Sequence, residues 1–254
     1  MTAKILTLDI ETYPSLGYYW SRFKPFIHQD QEVQPGRVAA VGAKWLGSKN
    51  AMWFSEFHCE GGHEQMIRSV HSIVNEADII VHYNGKRFDM PWLRTEMAKY
   101  GLTPPAPAKE VDLYQVVKRQ FRLPSNRLDD ALESFELPRK MKHSGFPLWK
   151  KCMEGDAKAW AEMRRYCVQD VRSTEMLYLK LRGWIPNHPH LGLYLVDDGE
   201  PTCGNCGGKA LQRRGLSVSS LGSYQRWQCQ NPECGKWSRS KKSEVPLLDV
   251  RPIA

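Results

Sequence analysis

Hydrophobic and polar positions change period several times along the chain, and each change marks an element. In KILTLDIET, residues 4–10 alternate as a strand does: Leu6, Leu8 and Ile10 share one face, with Thr7, Asp9 and Glu11 on the other. GRVAAVGAKWL (36–46) and NAMWFSEF (50–57) read as two more strands, and the GSKN between them suits a hairpin turn. GHEQMIRSVHSIVN predicts a helix over 62–75, followed by ADIIVHYNG, a short apolar strand ending at Gly85. FDMPWLRTEMAKYG predicts a helix from Phe88 to Tyr100 with Gly101 at its end, and Pro91 fits only in its first turn.

The proline-rich LTPPAPAKE is a loop leading into VDLYQVVKRQF, a brief strand or a turn into a helix. Another helix is expected to begin near Asn126, whereas PRKMKHSGFPLWKK (138–151) has no clear period and reads as a basic loop. The longest helical pattern carries Trp160, Met163, Cys167, Val171, Thr174, Leu177 and Leu181 at three- and four-residue steps. It should end around Gly183, before Pro186. IPNHPHLGLYLVDDGEP then looks like a linker or a packed strap, and a small separate unit runs from about 200 to 243. Strands alternating with helices predict an α/β core with an antiparallel hairpin beside its first strand.

Composition adds little for the core and much for the end of the chain. The 254 residues suffice for one sizeable core with a small satellite. Of the formal charge of +8, more than half sits in residues 200–254, which hold nine Lys/Arg against four Asp/Glu. A basic balance favours polyanionic partners. No window approaches eighteen apolar residues, which argues against a membrane span, and MTAKILTLDIE lacks the features of a signal peptide. An intracellular, cytoplasmic protein is therefore expected. Seven cysteines, four of them in two close pairs, do not read as a secreted disulfide framework.

Candidate chemistry begins with Asp9 and Glu11. Two residues apart on a strand, they share a face with Cα atoms about 6–7 Å apart. Two buried, unpaired carboxylates cost several kcal/mol each, so either the face meets solvent or a cation sits between them. Asp89 opens a helix at the end of a strand, where an acid is often only a cap. Tyr166 and Asp170, four residues apart on one helical face, can reach one site together. Asp112, Asp129 and Asp130 read as turn or helix-cap residues.

In this order and on these elements, the three signals resemble the DnaQ-like 3′→5′ exonucleases of the ribonuclease H-like superfamily. The tyrosine subtype fits best, including the proofreading domains of family B DNA polymerases. Its Asp-x-Glu motif is matched by Asp9 and Glu11, its Asn-Gly-x-x-Phe-Asp motif by Asn84, Gly85, Phe88 and Asp89, and its Tyr-x-x-x-Asp motif by Tyr166 and Asp170. The other subtype has histidine five residues before the last Asp, where this chain has Arg165. The resemblance covers roughly residues 1–185. No polymerase domain follows, which implies a free-standing nuclease similar to small exonucleases encoded by bacteriophages, acting then in the host cytoplasm.

The resemblance implies a ribonuclease H-like mixed sheet flanked by helices and two Mg²⁺ or Mn²⁺ ions. Asp9 would bridge the ions, Glu11 and Asp170 would help to hold the first, Asp89 would hold the second, and Tyr166 would orient the attacking water. Hard carboxylates suit such ions, and two of them about 4 Å apart can drive phosphodiester hydrolysis. Asn84 is a candidate contact to the terminal nucleotide. Phe88, also a candidate substrate contact, is expected rather to pack its helix on the sheet, and Trp92 and Leu93 read as core. Lys142 and His143, in the basic loop, are candidate phosphate contacts; an ordinary solvated loop is the alternative.

Cys203, Cys206, Cys229 and Cys234 form Cys-x₂-Cys, a gap of 22 residues and Cys-x₄-Cys. Four thiolates so paired match a structural Zn²⁺, and the segment resembles a zinc ribbon, although an iron–sulfur centre would use the same ligands. Glycines after Cys206 and Cys234 suit the tight turns of zinc knuckles. A fold of some 40 residues has too little core to stand without metal. Arg213, Arg214, Arg226, Trp227 and Trp237 interleave charge with rings, as a groove for single-stranded nucleic acid does. Alternatively, the two tryptophans are the ribbon's core.

The expected organisation is thus an exonuclease domain (1–185), a linker (186–199), a zinc ribbon (200–243) and a C-terminal tail (244–254). The expected activity is metal-dependent 3′→5′ cleavage of single-stranded DNA or frayed 3′ ends. Replication or recombination proteins are further candidate partners. Action on RNA, internal cleavage, or a non-catalytic nucleic-acid-binding role are the alternatives left open.

Overall fold

The structure, a computed structural model, describes residues 2–21, 23, 26–195, 199–219 and 222–244. Apart from Glu244, the expected C-terminal tail lies outside the described residues. The chain divides into two compact units, Lys4–Tyr178 and a smaller one that takes up the chain from Leu179.

In chain order the larger unit contains β1 (Ile5–Tyr13), β2 (Leu16–Gly17), β3 (Glu32–Gln34), β4 (Arg37–Trp45), β5 (Met52–Ser55), α1 (Gly62–Asn75), β6 (Ile79–His82), α2 (Asp89–Lys99), β7 (Lys109–Asp112), α3 (Leu113–Gln120), α4 (Leu128–Ser134) and α5 (Phe146–Met153). Most of α6 (Ala157–Leu181) belongs to it as well. The main sheet has the order β5-β4-β1-β6-β7. β4 runs antiparallel to both β1 and β5, whereas β1, β6 and β7 are parallel. Residues 111–121, open between strand and helix, are both in succession: Val111 and Asp112 end β7 and α3 follows.

β1 is the central strand, so both of its faces are covered. On one, Leu6, Leu8 and Ile10 pack with Met66, Ile67 and Val70 of α1 and Leu93 of α2. On the other, Tyr13, Ala39 and Ala40 meet Leu148 and Cys152 of α5 and Trp160 and Met163 of α6. The approach of α6 depends on one residue of β4. Gly42 pairs with Asp9, and a Cβ there would lie 2.9 Å from Cys167 Sγ and 3.0 Å from Val171 Cγ2. A nearly buried ion pair, Lys44 Nζ to Glu175 Oε2 at 2.5 Å, ties the same helix to β4 further along.

Three stretches differ from the pattern-based expectation. Within 138–151, Phe146–Met153 is helical: Pro147 lies in its first turn, and Leu148 and Cys152, four apart, reach the core. Eight residues are too few for that period to stand out. α6 ends at Leu181, and a 3₁₀ turn over Arg182–Trp184 completes the segment to Gly183 and beyond. The stretch between β1 and β4 forms a small antiparallel pair, β2 with β3, that periodicity did not mark.

In the smaller unit, β8 (Leu211–Ser219), β9 (Gly222–Cys229) and β10 (Trp237–Arg239) form an antiparallel sheet of order β10-β9-β8. Before it, Leu191 is buried and its N–H donates to Gly204 O at 2.6 Å, which packs that part of the strap against the first cysteine pair. Among the described residues no helix is long and apolar enough to cross a membrane.

Candidate active site and metal centre

The carboxyl ends of parallel strands in an α/β sheet open onto a crevice, and the acidic residues collect there. Glu11 is followed by a bulge: the register of β1 on β4 shifts between Glu11 and Thr12. Beyond the end of neighbouring β6, the chain must turn sharply into α2. Asn84 adopts the left-handed conformation, with φ of 66°. A Cβ at Gly85 would lie 2.4 Å from His82 Cγ, so glycine is required there, and its N–H donates to His82 Nδ1 at 3.1 Å. Asp112 accepts from the N–H groups of Asn84 (2.9 Å) and Tyr114 (3.1 Å), holding the turn and capping α3 together.

That turn delivers Asp89 as the first residue of α2. Its Oδ1 accepts the Ile10 N–H at 3.1 Å, which fastens the third acid to the backbone between the first two. From the other side α6 presents Tyr166, Cys167 and Asp170. Cys167 Sγ lies 3.9 Å from Asp9 Oδ2, and ligand atoms of Asp9, Glu11 and Cys167 all lie within 4.8 Å of one another. Asp170 Oδ2 pairs with Lys140 Nζ at 2.5 Å, while the buried Oδ1 has no partner. Lys140 Nζ also donates to Tyr166 Oη at 3.1 Å.

Lys140 reaches this position because its loop is tethered. Asp129 accepts from Arg139 Nε (3.1 Å) and from the Lys140 N–H (2.9 Å), and Arg139 Nη1 bonds Glu133 at 3.0 Å. Asp129 is therefore a loop anchor, and Lys140 is a member of the cluster that spacing alone did not single out. Lys140 and Lys142 alternate in the same loop, and only the tether decides which of them faces Asp170.

The acids' electrostatics describe a cluster short of positive charge. Burial, then the charges of Asp89, Glu11 and Asp170, raise the pKa of Asp9 well above the usual carboxylate range. Burial and Asp170 hold Glu11 up at about 8, and burial lifts Asp89 to about 6. Burial also raises Asp170, although Lys140 opposes it. Upward shifts are what buried, crowded carboxylates show where Lys140 supplies only part of the opposing charge. Among the described residues, Asp9, Glu11 and Cys167 are the ones in this cluster whose ligand atoms lie close enough to share one metal ion, with Asp89 and the unpartnered Asp170 Oδ1 beside them.

The structure thus brings Asp9, Glu11, Asp89, Tyr166 and Asp170 into one cluster. His143 lies against Tyr166, with ring centroids 4.6 Å apart, whereas Lys142 is exposed. Asn84 serves the turn through its backbone. Phe88 departs from the packing expectation: it is 42% exposed, edge-on to Trp92 at 6.5 Å, because as the residue before the helix it lies outside the apolar stripe. Leu93 is core, as expected, and Trp92 packs partly buried against the same cluster.

In the smaller unit the four cysteines converge, with ligand atoms within 4.8 Å of one another. Cys203 and Cys234 Sγ are 3.8 Å apart and Cys206 and Cys229 Sγ 3.6 Å. Thiolates about 2.3 Å from a tetrahedral zinc would be about 3.8 Å apart, so the cage fits that ion. Gly207 and Gly235 take positive φ values of 74° and 56°, which makes the two tight turns. The buried core here is Cys203, Cys229 and Cys234 with Leu211 beside them, not the tryptophans. Trp237 is 44% exposed and lies under Arg226 at 4.8 Å, and Arg213 covers Trp227 at 5.1 Å. Arg214 contributes its carbonyl, which accepts from Arg226 Nε at 2.9 Å.

A five-stranded mixed sheet between helices, with acids gathered at the carboxyl ends of its central strands, is consistent with the class of metal-dependent nucleases. The family model RNase_H_2, described as RNase_H superfamily, matches residues 31–182, more than half of the chain. The chain belongs to that family. Its match begins after β1, so Asp9 and Glu11 lie outside it.

Among solved structures the chain is similar to the family B DNA polymerase from the hyperthermophilic archaeon Pyrobaculum calidifontis, at 21% identity and a TM-score of 0.53. The likeness covers 70% of this chain and 24% of the polymerase chain, and it is one of fold. No curated protein matches the sequence. Family and acidic cluster together support a general metal-dependent nuclease role, and the four-cysteine cluster of the smaller unit is consistent with a zinc ribbon.

Proposed function

We propose that the protein is a 3′→5′ exonuclease of the tyrosine-bearing DnaQ-like type, acting on single-stranded DNA. The observation that carries this reading is the meeting of Asp9 and Glu11 from β1, Asp89 from α2, and Tyr166 and Asp170 from α6, in a group of carboxylates that Lys140 only partly compensates. The four acids would hold two Mg²⁺ or Mn²⁺ ions. Bound ions of this kind neutralise the scissile phosphate and activate a water.

The chain's own groups do the rest. Burial, then the charge of Asp170, raise the pKa of Tyr166, so its phenol keeps its proton. Because Lys140 donates to the phenol oxygen, the Tyr166 O–H is directed elsewhere, toward a water or a carboxylate. Tyr166 therefore positions the nucleophile instead of deprotonating it. His143, whose ring lies against Tyr166, would contact a phosphate, and Asn84 and Phe88 would contact the terminal nucleotide near Asp89. The division of labour assigns catalysis to residues 1–185 and strand holding, by Arg213, Arg226, Trp227 and Trp237, to the zinc ribbon at 200–243.

The test offers 5′-labelled single-stranded DNA and its RNA equivalent with Mg²⁺ or Mn²⁺, beside Asp170→Asn. A descending ladder of single-nucleotide steps on DNA, absent in the variant, is expected. Fragments cut mid-chain, or a ladder on RNA alone, would sink the reading.

A further inference from the structure

The stretch between Tyr13 and Arg37 has no part in the acidic cluster, yet it carries an unusual surface. Residues 18–26, YYWSRFKPF, place five aromatic rings in nine positions. Trp20 is 98% exposed and Phe23 and Phe26 each 83%, with Tyr18 and Tyr19 exposed as well. Single exposed rings are ordinary on a protein surface, but a concentration of this kind marks a place of contact.

The base of this excursion is built. β2 pairs with β3, the Tyr18 N–H donates to Gln31 O at 2.9 Å, and Gln31 Nε2 returns a bond to Tyr18 O at 3.1 Å. The Gly36 N–H donates to Ser15 Oγ at 3.0 Å. A Cβ at Gly36 would stand 3.4 Å from Trp92 Cη2, so the foot of the excursion is seated on α2, one ring away from Phe88 and thus next to Asp89. Its other foot leaves β1 at Tyr13, two residues after Glu11. Both feet therefore stand at the rim of the acidic crevice.

We infer that this aromatic excursion is a stacking arm for a single-stranded nucleic acid, holding nucleotides that lie upstream of the end held in the acidic site. The inference rests on the nuclease reading for the polarity of the strand. Three observations select nucleic acid as the occupant. The rings are spaced in the sequence by Arg22 and Lys24, cations of the kind that meet phosphates. Among the described residues the most exposed large apolar side chains of the excursion are the rings of Trp20, Phe23, Phe26 and Tyr18, with Leu16, Ile27 and Val33 less exposed around them, and every base has a face to stack whatever its sequence. It also begins at Tyr13, two residues after Glu11, so a strand whose end lay at Asp9, Glu11 and Asp89 would have the rings within reach as it left the site.

The test uses the full chain with Ca²⁺ in place of Mg²⁺, and measures fluorescence anisotropy of labelled oligothymidylates from about 3 to about 24 nucleotides. Trp20→Ala/Phe23→Ala/Phe26→Ala is expected to weaken binding of the long strands by about tenfold or more, leaving the trinucleotide unchanged. With Mg²⁺, the variant should raise KM on long strands at constant kcat and hydrolyse the p-nitrophenyl ester of thymidine 5′-monophosphate at the wild-type rate. Trp20→Phe/Phe23→Tyr/Phe26→Tyr, which keeps the rings, should restore affinity.

Equal affinity of variant and wild type at every length overturns the inference, as does an equal loss on the trinucleotide. A wild-type dimer that the alanine variant dissociates with strand affinity untouched also overturns it, and assigns the rings to a second copy. If the wild type cleaves neither strand nor ester but still loses long-strand affinity with the rings, the nuclease reading fails and the arm stands.

Discussion

Glu11 is the residue at which the site's dependence on cations becomes measurable. Its ordinary pKa of 4.5 is raised to about 8, first by burial and then by Asp170, and Asp89 moves in the same direction to about 6. The sign of the consequence is the reverse of the usual surface carboxylate. Between about pH 4.5 and 8 the folded chain keeps protons that the unfolded chain has released, so stability is greatest at the acid end and is lost as the pH rises. A divalent ion competes with those protons and must bind more tightly at higher pH. Protein freed of Mg²⁺ and Mn²⁺ by dialysis should show a melting temperature that falls from about pH 5 to 8, and added Mn²⁺ should recover more of it at the upper end. Burial lowers the pKa of His58, His63 and His188, which opposes this trend, so Glu11→Gln is the reference. An equal slope in both proteins would mean that the carboxylate is already ionised and compensated, and that the crevice was not built around a cation.

At the scale of elements, the site depends on how closely α6 can lie on the sheet. Gly42→Ala places a methyl group 2.9 Å from Cys167 Sγ and 3.0 Å from Val171 Cγ2, so the helix carrying Tyr166 and Asp170 must move out. Overpacking of this kind costs about 1–3 kcal/mol, and the displacement should lower kcat far more than it changes KM. Cys167→Ala in the same chain should recover part of both losses, since it removes one of the two clashing atoms; additive losses in a double-mutant cycle would place the effect elsewhere. The elements themselves were largely legible. β1 alternates because alternate side chains do face opposite layers, and 62–75 shows its helix because four turns let one apolar stripe repeat. The acids were legible too, since Asp-x-Glu on a strand and Tyr-x-x-x-Asp on a helix fix which side chains share a face. What depends on tertiary placement was not. α5 is short and opens with a proline, β2 and β3 have two and three residues, and Lys140 owes its position to Arg139 and Asp129. No period in the sequence encodes such a tether.

For the molecule as a whole, two units of different stability imply two separable losses. The larger unit has apolar layers on both faces of its sheet, whereas the cluster buried against the smaller unit's sheet is three cysteines with Cys206 and Leu211 partly buried beside them, and Leu181, Ile185 and Leu191 are buried in the segment before it. A sheet of three strands with so little apolar interior would draw its stability from an ion held by the four thiolates. Cys229→Ser should therefore abolish bound zinc, one ion per chain in the wild type, and unfold the ribbon without lowering the main melting transition by more than about 1 kcal/mol equivalent. Trp227 and Trp237 would lose the strands that set them beneath Arg213 and Arg226. Affinity for long single strands should then fall and lose much of its dependence on salt, because the cations of residues 200–254 no longer act from one surface. Hydrolysis of a mononucleotide ester by the acidic cluster should continue at its full rate. Elemental analysis, a salt titration of binding and the ester assay, run on the same preparation, separate these outcomes. Loss of ester hydrolysis along with the zinc would show instead that the cysteine cage supports the catalytic unit, and strand holding would have to be sought outside the ribbon.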